Sequence, residues 1–159
     1  MSSESPHSRM SNNHYGRLLV MAALSFLSMY ALMYAMVDVI RNVYPNFNQL
    51  YMAGLMTAPM IVIEISLMSA MFQNKRLNAL IIALSVTASV VFFALIRRQT
   101  AINDAQFLRS MIPHHGGAIL MCEEAPILDP EIRELCTSII SGQQAEIDLM
   151  TAKLRELRR

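Results

Sequence analysis

Apolar residues run almost unbroken through Leu18 to Ile40, Tyr51 to Phe72 and Leu77 to Ile96, whereas beyond Arg98 they fall into stripes on a polar background. At about 1.5 Å of rise per residue, each run reaches across about 30 Å of hydrocarbon as a helix. Three transmembrane helices are therefore expected, over 18–40, 51–72 and 77–96. The first run is broken only by Ser25, Ser28 and Asp38 and lacks a small-x-small cleavage site, which argues for an uncleaved anchor over a signal peptide. Tyr44 and Tyr51 fit interfacial positions in the first connection, and Lys75 and Arg76 close the second. Residues 1–17 are polar without periodicity and read as a disordered tail. The expected organisation is a tail (1–17), a membrane domain (18–98) and a separate C-terminal domain (99–159).

In that last domain, Leu108, Met111, His115, Ala118 and Cys122 follow one another at helical spacing, with His114 and Met121 on the adjoining stripe. After a turn containing Pro126, Asp129 as N-cap, Pro130 and Glu131 open another helix. Its Cys136, Ile140, Gln143, Ile147, Met150, Leu154 and Leu157 make an apolar seam. The fold class is all-α: three transmembrane helices, then an antiparallel helical hairpin. The third span either runs on into the hairpin and bends at Pro113, or breaks where Thr100 or Asn103 caps a new helix. A turn centred near residue 127 sets Met111 opposite Gln143, a candidate partner for a metal-bound histidine, and His115 near Ile139 and Ile140. The same register holds Cys122 and Cys136 beyond disulfide reach, as free thiols, and leaves Met150 about 16 Å along the axis from the histidines.

At 159 residues and 54% hydrophobic content, with a mean hydropathy of +0.37, the chain is a membrane protein with a small polar appendage. A net charge of +1 with scattered basic residues excludes a nucleic-acid footprint. Met111, His114, His115, Met121 and Cys122 combine thioether, imidazole and thiol, the donor set that selects copper(I) over magnesium or calcium. The second span carries Met52, Met56, Met60, Glu64 and Met68 at steps of four. That row reads first as membrane packing, with Glu64 expected to face the helix bundle because a carboxylate in hydrocarbon is costly. Tail residues His7 and His14 carry little metal-binding weight. Catalysis is not expected: Met111 and Ile112 stand where a di-iron E-x-x-H motif needs acids, and no H-E-x-x-H, phosphate loop or Ser/His/Asp grouping occurs.

The string MIPHHGGAILM, followed by Gln143, Glu146, Ile147, Met150 and Leu154 as Q-x-x-E-I-x-x-M-x-x-x-L, resembles the domain-of-unknown-function 305 family over about residues 103–158. The resemblance implies a ferritin-like helical fold, of which this hairpin is half a four-helix bundle. It also implies copper binding in metal tolerance, with Gln143, Glu146 and Met150 as motif residues and a copper donor or acceptor protein as a partner. Gly116 and Lys153 depart from the family, which often has Gln and an aromatic residue there. Two helices alone bury little, so a homodimer or homo-oligomer is expected. A membrane-anchored structural or interaction protein is the alternative.

Arg9, Arg17, Lys75 and Arg76 share one side of the membrane, against Arg41, Arg97 and Arg98 on the other. The bias favours a cytoplasmic N-terminus in a multi-pass cytoplasmic (inner) membrane protein, its hairpin periplasmic or otherwise extracytoplasmic. A reporter fused after Arg159 is expected to be active on the extracytoplasmic side only; cytoplasmic activity would reverse this assignment.

Overall fold

The computed structural model describes residues 6–157, and every regular element among them is helical. The order is α1 (Pro6–Leu32), α2 (Phe47–Leu67), α3 (Lys75–Arg98), α4 (Asp104–Glu124) and α5 (Pro130–Glu156), with 3-10 turns at Met33–Met36 and Ile40–Asn42. Three stretches are long and apolar enough to cross a membrane: His14–Met36, Phe47–Leu67 and Lys75–Arg98.

The boundaries differ from those expected, each for a local reason. Helix α1 starts at Pro6, so 6–17 is helical where a disordered tail was expected. Proline suits a first helical position, and extending the apolar helix backwards avoids a second nucleation cost. Residues 1–5 and the side chain of His7 lie outside the described residues. At its other end α1 stops at Leu32, short of the expected Ile40, and Val37 is extended. Asp38 therefore leaves the apolar window, and the Asn42 side-chain amide donates to both its carboxylate oxygens, at 2.9 and 3.1 Å. A charge bonded in this way escapes the cost of hydrocarbon. Helix α2 begins earlier than expected because Asn46 Oδ1 accepts from the Gln49 amide at 3.0 Å, as an N-cap does. It ends at Leu67, which puts Glu64 in its last turn instead of mid-membrane. Helices α3 and α4 are separate: Gln99 adopts a left-handed conformation (φ 48°) that caps α3, and Asn103 caps α4 by accepting from the Gln106 amide.

The chain packs as two compact units. One contains α1 up to Ala31 and Leu50–Thr100; the other contains Leu32–Gln49 and the chain from Ala101 onward. The connection between the first two spans thus groups with the hairpin. In the first unit, Leu18, Ile65 and Phe72 form a core with Tyr15, Met21 and Ile61 around it. A Cβ at Gly54 would stand 2.5 Å from the Phe92 ring, which would have to shift to admit a larger residue there. Glu64 is half-buried. It lies one heptad beyond Thr57, whose hydroxyl is 3.6 Å from Met29 Sδ of α1, so Glu64 lies on the side of α2 that faces α1. Met52, Met56 and Met68 of the methionine row are exposed in this unit.

In the second unit α4 and α5 pair around Ile112, Ile119, Ile147 and Leu154, with Leu108, Ile140 and Met150 packed against them. Each fully buried aliphatic side chain contributes about 1.5–3 kcal/mol. Leu157, expected in the seam, is exposed. The largest correction concerns the cysteines. Cys122 and Cys136 are joined by a disulfide, their Cα atoms 5.2 Å apart. Free thiols were expected from a tight turn near residue 127. Instead the connection is extended at both ends, with ψ 134° at Ala125 and 125° at Asp129, and Arg133 Nε donates to the Ile127 carbonyl at 2.8 Å. An extended segment carries the chain along the helix axis before α5 begins, which shifts the pairing by about one to two turns. Maleimide labelling of the denatured chain is expected to find no reactive thiol until a reductant is added; labelling without reductant would refute the pairing.

Candidate metal centre

The site is built where Pro113 interrupts the hydrogen bonding of α4. Proline has no N–H for the Arg109 carbonyl, and the side-chain amide of the buried Asn46 donates to that carbonyl instead, at 3.4 Å. Two more bonds fasten the same segment: Gln106 Oε1 accepts from the Phe47 amide at 3.1 Å, and Asn48 Nδ2 donates to Ser110 Oγ at 3.3 Å. One turn beyond the proline, Gly116 and Gly117 let this segment close on the helix. A Cβ at Gly116 would collide with the Asp38 carboxylate, and one at Gly117 would stand 3.2 Å from the Met36 carbonyl. The Gly-Gly step after the paired histidines is thus required by close packing, and it explains the absence of a longer residue at 116.

His115 is buried, at 8% exposure. Its Nδ1 lies 2.8 Å from the Met111 carbonyl oxygen, and its Nε2 lies 2.7 Å from Glu146 Oε2 of α5. A carbonyl only accepts, so Nδ1 must carry a hydrogen. Nε2 is then the ring's remaining donor or ligand atom, joined to the carboxylate through one proton. Displacing that proton leaves an imidazole nitrogen facing a carboxylate, with the ring held by a backbone carbonyl, as in many metal-bound histidines.

Because Glu146 faces His115, Met150 one turn further along α5 comes level with Met111 one turn back along α4. The expected separation of Met150 from the histidines does not hold in this register. Gln143, one turn before Glu146, has a buried Oε1 without a hydrogen-bond partner. The other expected donors do not converge. His114 is exposed, its ring centroid 6.0 Å from that of His115 with the planes at 64°. Met121 is exposed, about two turns from His114. Cys122 is in the disulfide and has no thiolate to offer. Among the described residues no group of three or more His, Cys, Asp or Glu side chains gathers around one point. The direct contact is one imidazole with one carboxylate, and Met111 and Met150 lie level with each other one turn away.

Sequence reasoning missed two features. The direct His115–Glu146 contact depended on the register, and Asp38 was counted inside a membrane span. The signal for Asp38 was its position, a lone charge near the end of an apolar run with Asn42 one turn further on.

The family profile described as Domain of unknown function (DUF305) matches residues 56–154, so the chain belongs to that family. The match begins in α2, well before the stretch the motif alone covers. An uncharacterized protein of Acanthamoeba polyphaga mimivirus is 34% identical over 142 residues, covering 87% of this chain and 91% of that protein. No solved structure matches.

Replacing Gly116 by Ala is expected to destabilise the hairpin by about 1–3 kcal/mol, the cost of overpacking. Removing the obstructing carboxylate with Asp38→Ala should recover part of the loss. Thermal unfolding in detergent checks both; an unchanged melting temperature in Gly116→Ala would contradict the close approach.

Proposed function

We propose that this member of the DUF305 family is a membrane-anchored metal-binding protein that holds copper(I) on its hairpin, in metal tolerance or in handing copper to a donor or acceptor protein. The observation that carries the reading is the register of α4 and α5, which brings His115 to Glu146 at 2.7 Å and Met150 level with Met111. His115 would bind through Nε2, its ring already oriented by the Met111 carbonyl. The thioethers of Met111 and Met150 would supply the soft donors that favour copper(I) over hard cations. The unpartnered Gln143 Oε1 is a buried acceptor beside this group, and such an atom calls for a hydrogen bond or an ion. Exposed His114 and Met121 would serve as arrival points on the adjoining stripe. The disulfide fits an oxidising compartment and the charge bias of the loops agrees with it; both support the reading that the hairpin is extracytoplasmic.

One observation favours a second reading. The His115–Glu146 contact is a complete hydrogen bond without any metal, so the pair is also suited to clasp the hairpin of an anchored interaction protein.

Copper(I) titration of the purified protein against a colorimetric chelator separates the two. His115→Ala and Met111→Ala are expected to weaken binding at least tenfold, about 1.4 kcal/mol, with a smaller effect from His114→Ala. Unchanged affinity in all three variants would end the copper reading and leave the clasp.

A further inference from the structure

We infer that α5 carries a self-association face, on which a second copy of this chain docks with the two α5 helices antiparallel and Gly142 on the two-fold axis. This goes beyond the copper reading and stands without it.

Helix α5 has two apolar stripes. Cys136, Ile147 and Leu154 lie on the one that α4 covers. The other holds Leu135, Gly142 and Leu149, at heptad spacing. Leu135 is 57% and Leu149 70% exposed, and nothing lies within 4 Å of where a Cβ on Gly142 would stand. A solvated helix face needs no leucines at heptad spacing, and a glycine in mid-helix weakens the helix unless close approach requires it.

The stripe is symmetric about its glycine. Leu135 and Leu149 stand seven residues before and after Gly142, and Glu131 and Lys153 stand eleven before and after it. An antiparallel pair centred on Gly142 therefore sets Leu135 against Leu149 of the partner subunit and Glu131 against Lys153 of the partner subunit. That is the self-complementarity a two-fold interface demands. The charges oppose a parallel pairing, because α5 is acidic in its first turn at Glu131 and basic in its last at Lys153 and Arg155. Lys153 already pairs with Glu156 at 2.7 Å, but both are exposed, and a surface pair of this kind is exchanged at little cost. Gly142 at the crossing lets the two backbones approach closely.

The arrangement also bears on the metal centre. Glu146 lies one turn from Gly142 on the same face, with its side chain 60% exposed. A second copy would cover it and close the His115–Glu146 pair from water, which a single hairpin leaves open.

Gly142→Cys in the full-length chain, oxidised in native membranes and run on a non-reducing gel, tests the placement, since the native cysteines are bonded to each other. A reducible dimer of this chain is expected, and none from Asp148→Cys, which lies about 120° round α5 from Gly142. Adding Lys153→Glu to Gly142→Cys should weaken the dimer band, and adding Glu131→Lys as well should restore it. The proposal is overturned if Gly142→Cys stays monomeric, links no better than Asp148→Cys, or links to a different protein. Cross-linking without copper binding would sink the metal reading alone.

Discussion

Two antiparallel helices can slide past each other, and the position at which they stop decides which side chains meet. In this hairpin the stop is set at two places, by the disulfide between Cys122 and Cys136 and by the hydrogen bond between His115 and Glu146. Buried Ile119 lies between the two, and Ile112, Ile147 and Leu154 continue the core on the other side of the His115–Glu146 contact. Shifting α5 by one turn would move Glu146 about 5 Å from His115, strand a buried imidazole and take Met150 away from Met111. His115 and Glu146 meet, and Met111 and Met150 stand level, because the helices are in this register.

A second constraint acts on the other side of α4. Pro113 leaves the Arg109 carbonyl without an intrahelical partner, and the Asn46 amide takes the place of the missing N–H. The same stretch of chain, Leu32–Gln49, brings Asp38 against Gly116 and the Met36 carbonyl against Gly117. One side of α4 is thus shaped for the chain's own connecting segment and another for α5. The remaining side carries His114 and Met121, exposed. A helix that looks merely irregular, with a proline and two glycines beside two histidines, has each irregularity matched to a neighbour.

Much of this was legible in the sequence. The apolar runs predicted three helices long and apolar enough to cross a membrane, and the Asp129-Pro130-Glu131 start predicted α5, because hydrophobic periodicity and capping are local properties. Side chains that find partners far along the chain were not legible. Asp38 reads as part of an apolar run until Asn42 is seen to bond it, and the left-handed Gln99 between α3 and α4 has no glycine to announce it. The register was misjudged for a related reason: the extended backbone of 125–129 cannot be told by counting residues from a compact turn of the same length. The placing of Met111 and His115 on one face of α4 was legible because spacing on one helix is fixed at about 3.6 residues per turn. Their opposition to Glu146 and Met150, and the loss of Cys122 to a disulfide, depended on the one quantity that spacing does not fix.

X-ray absorption at the copper edge of the copper(I)-loaded protein tests most directly whether the two halves of the motif meet at one ion. The account predicts nitrogen or oxygen together with sulfur around the metal, the sulfur contribution falling when Met150 is replaced by Leu and the nitrogen contribution falling when His115 is replaced by Ala. A spectrum indifferent to Met150→Leu would contradict it, because α5 would then take no part in holding the ion.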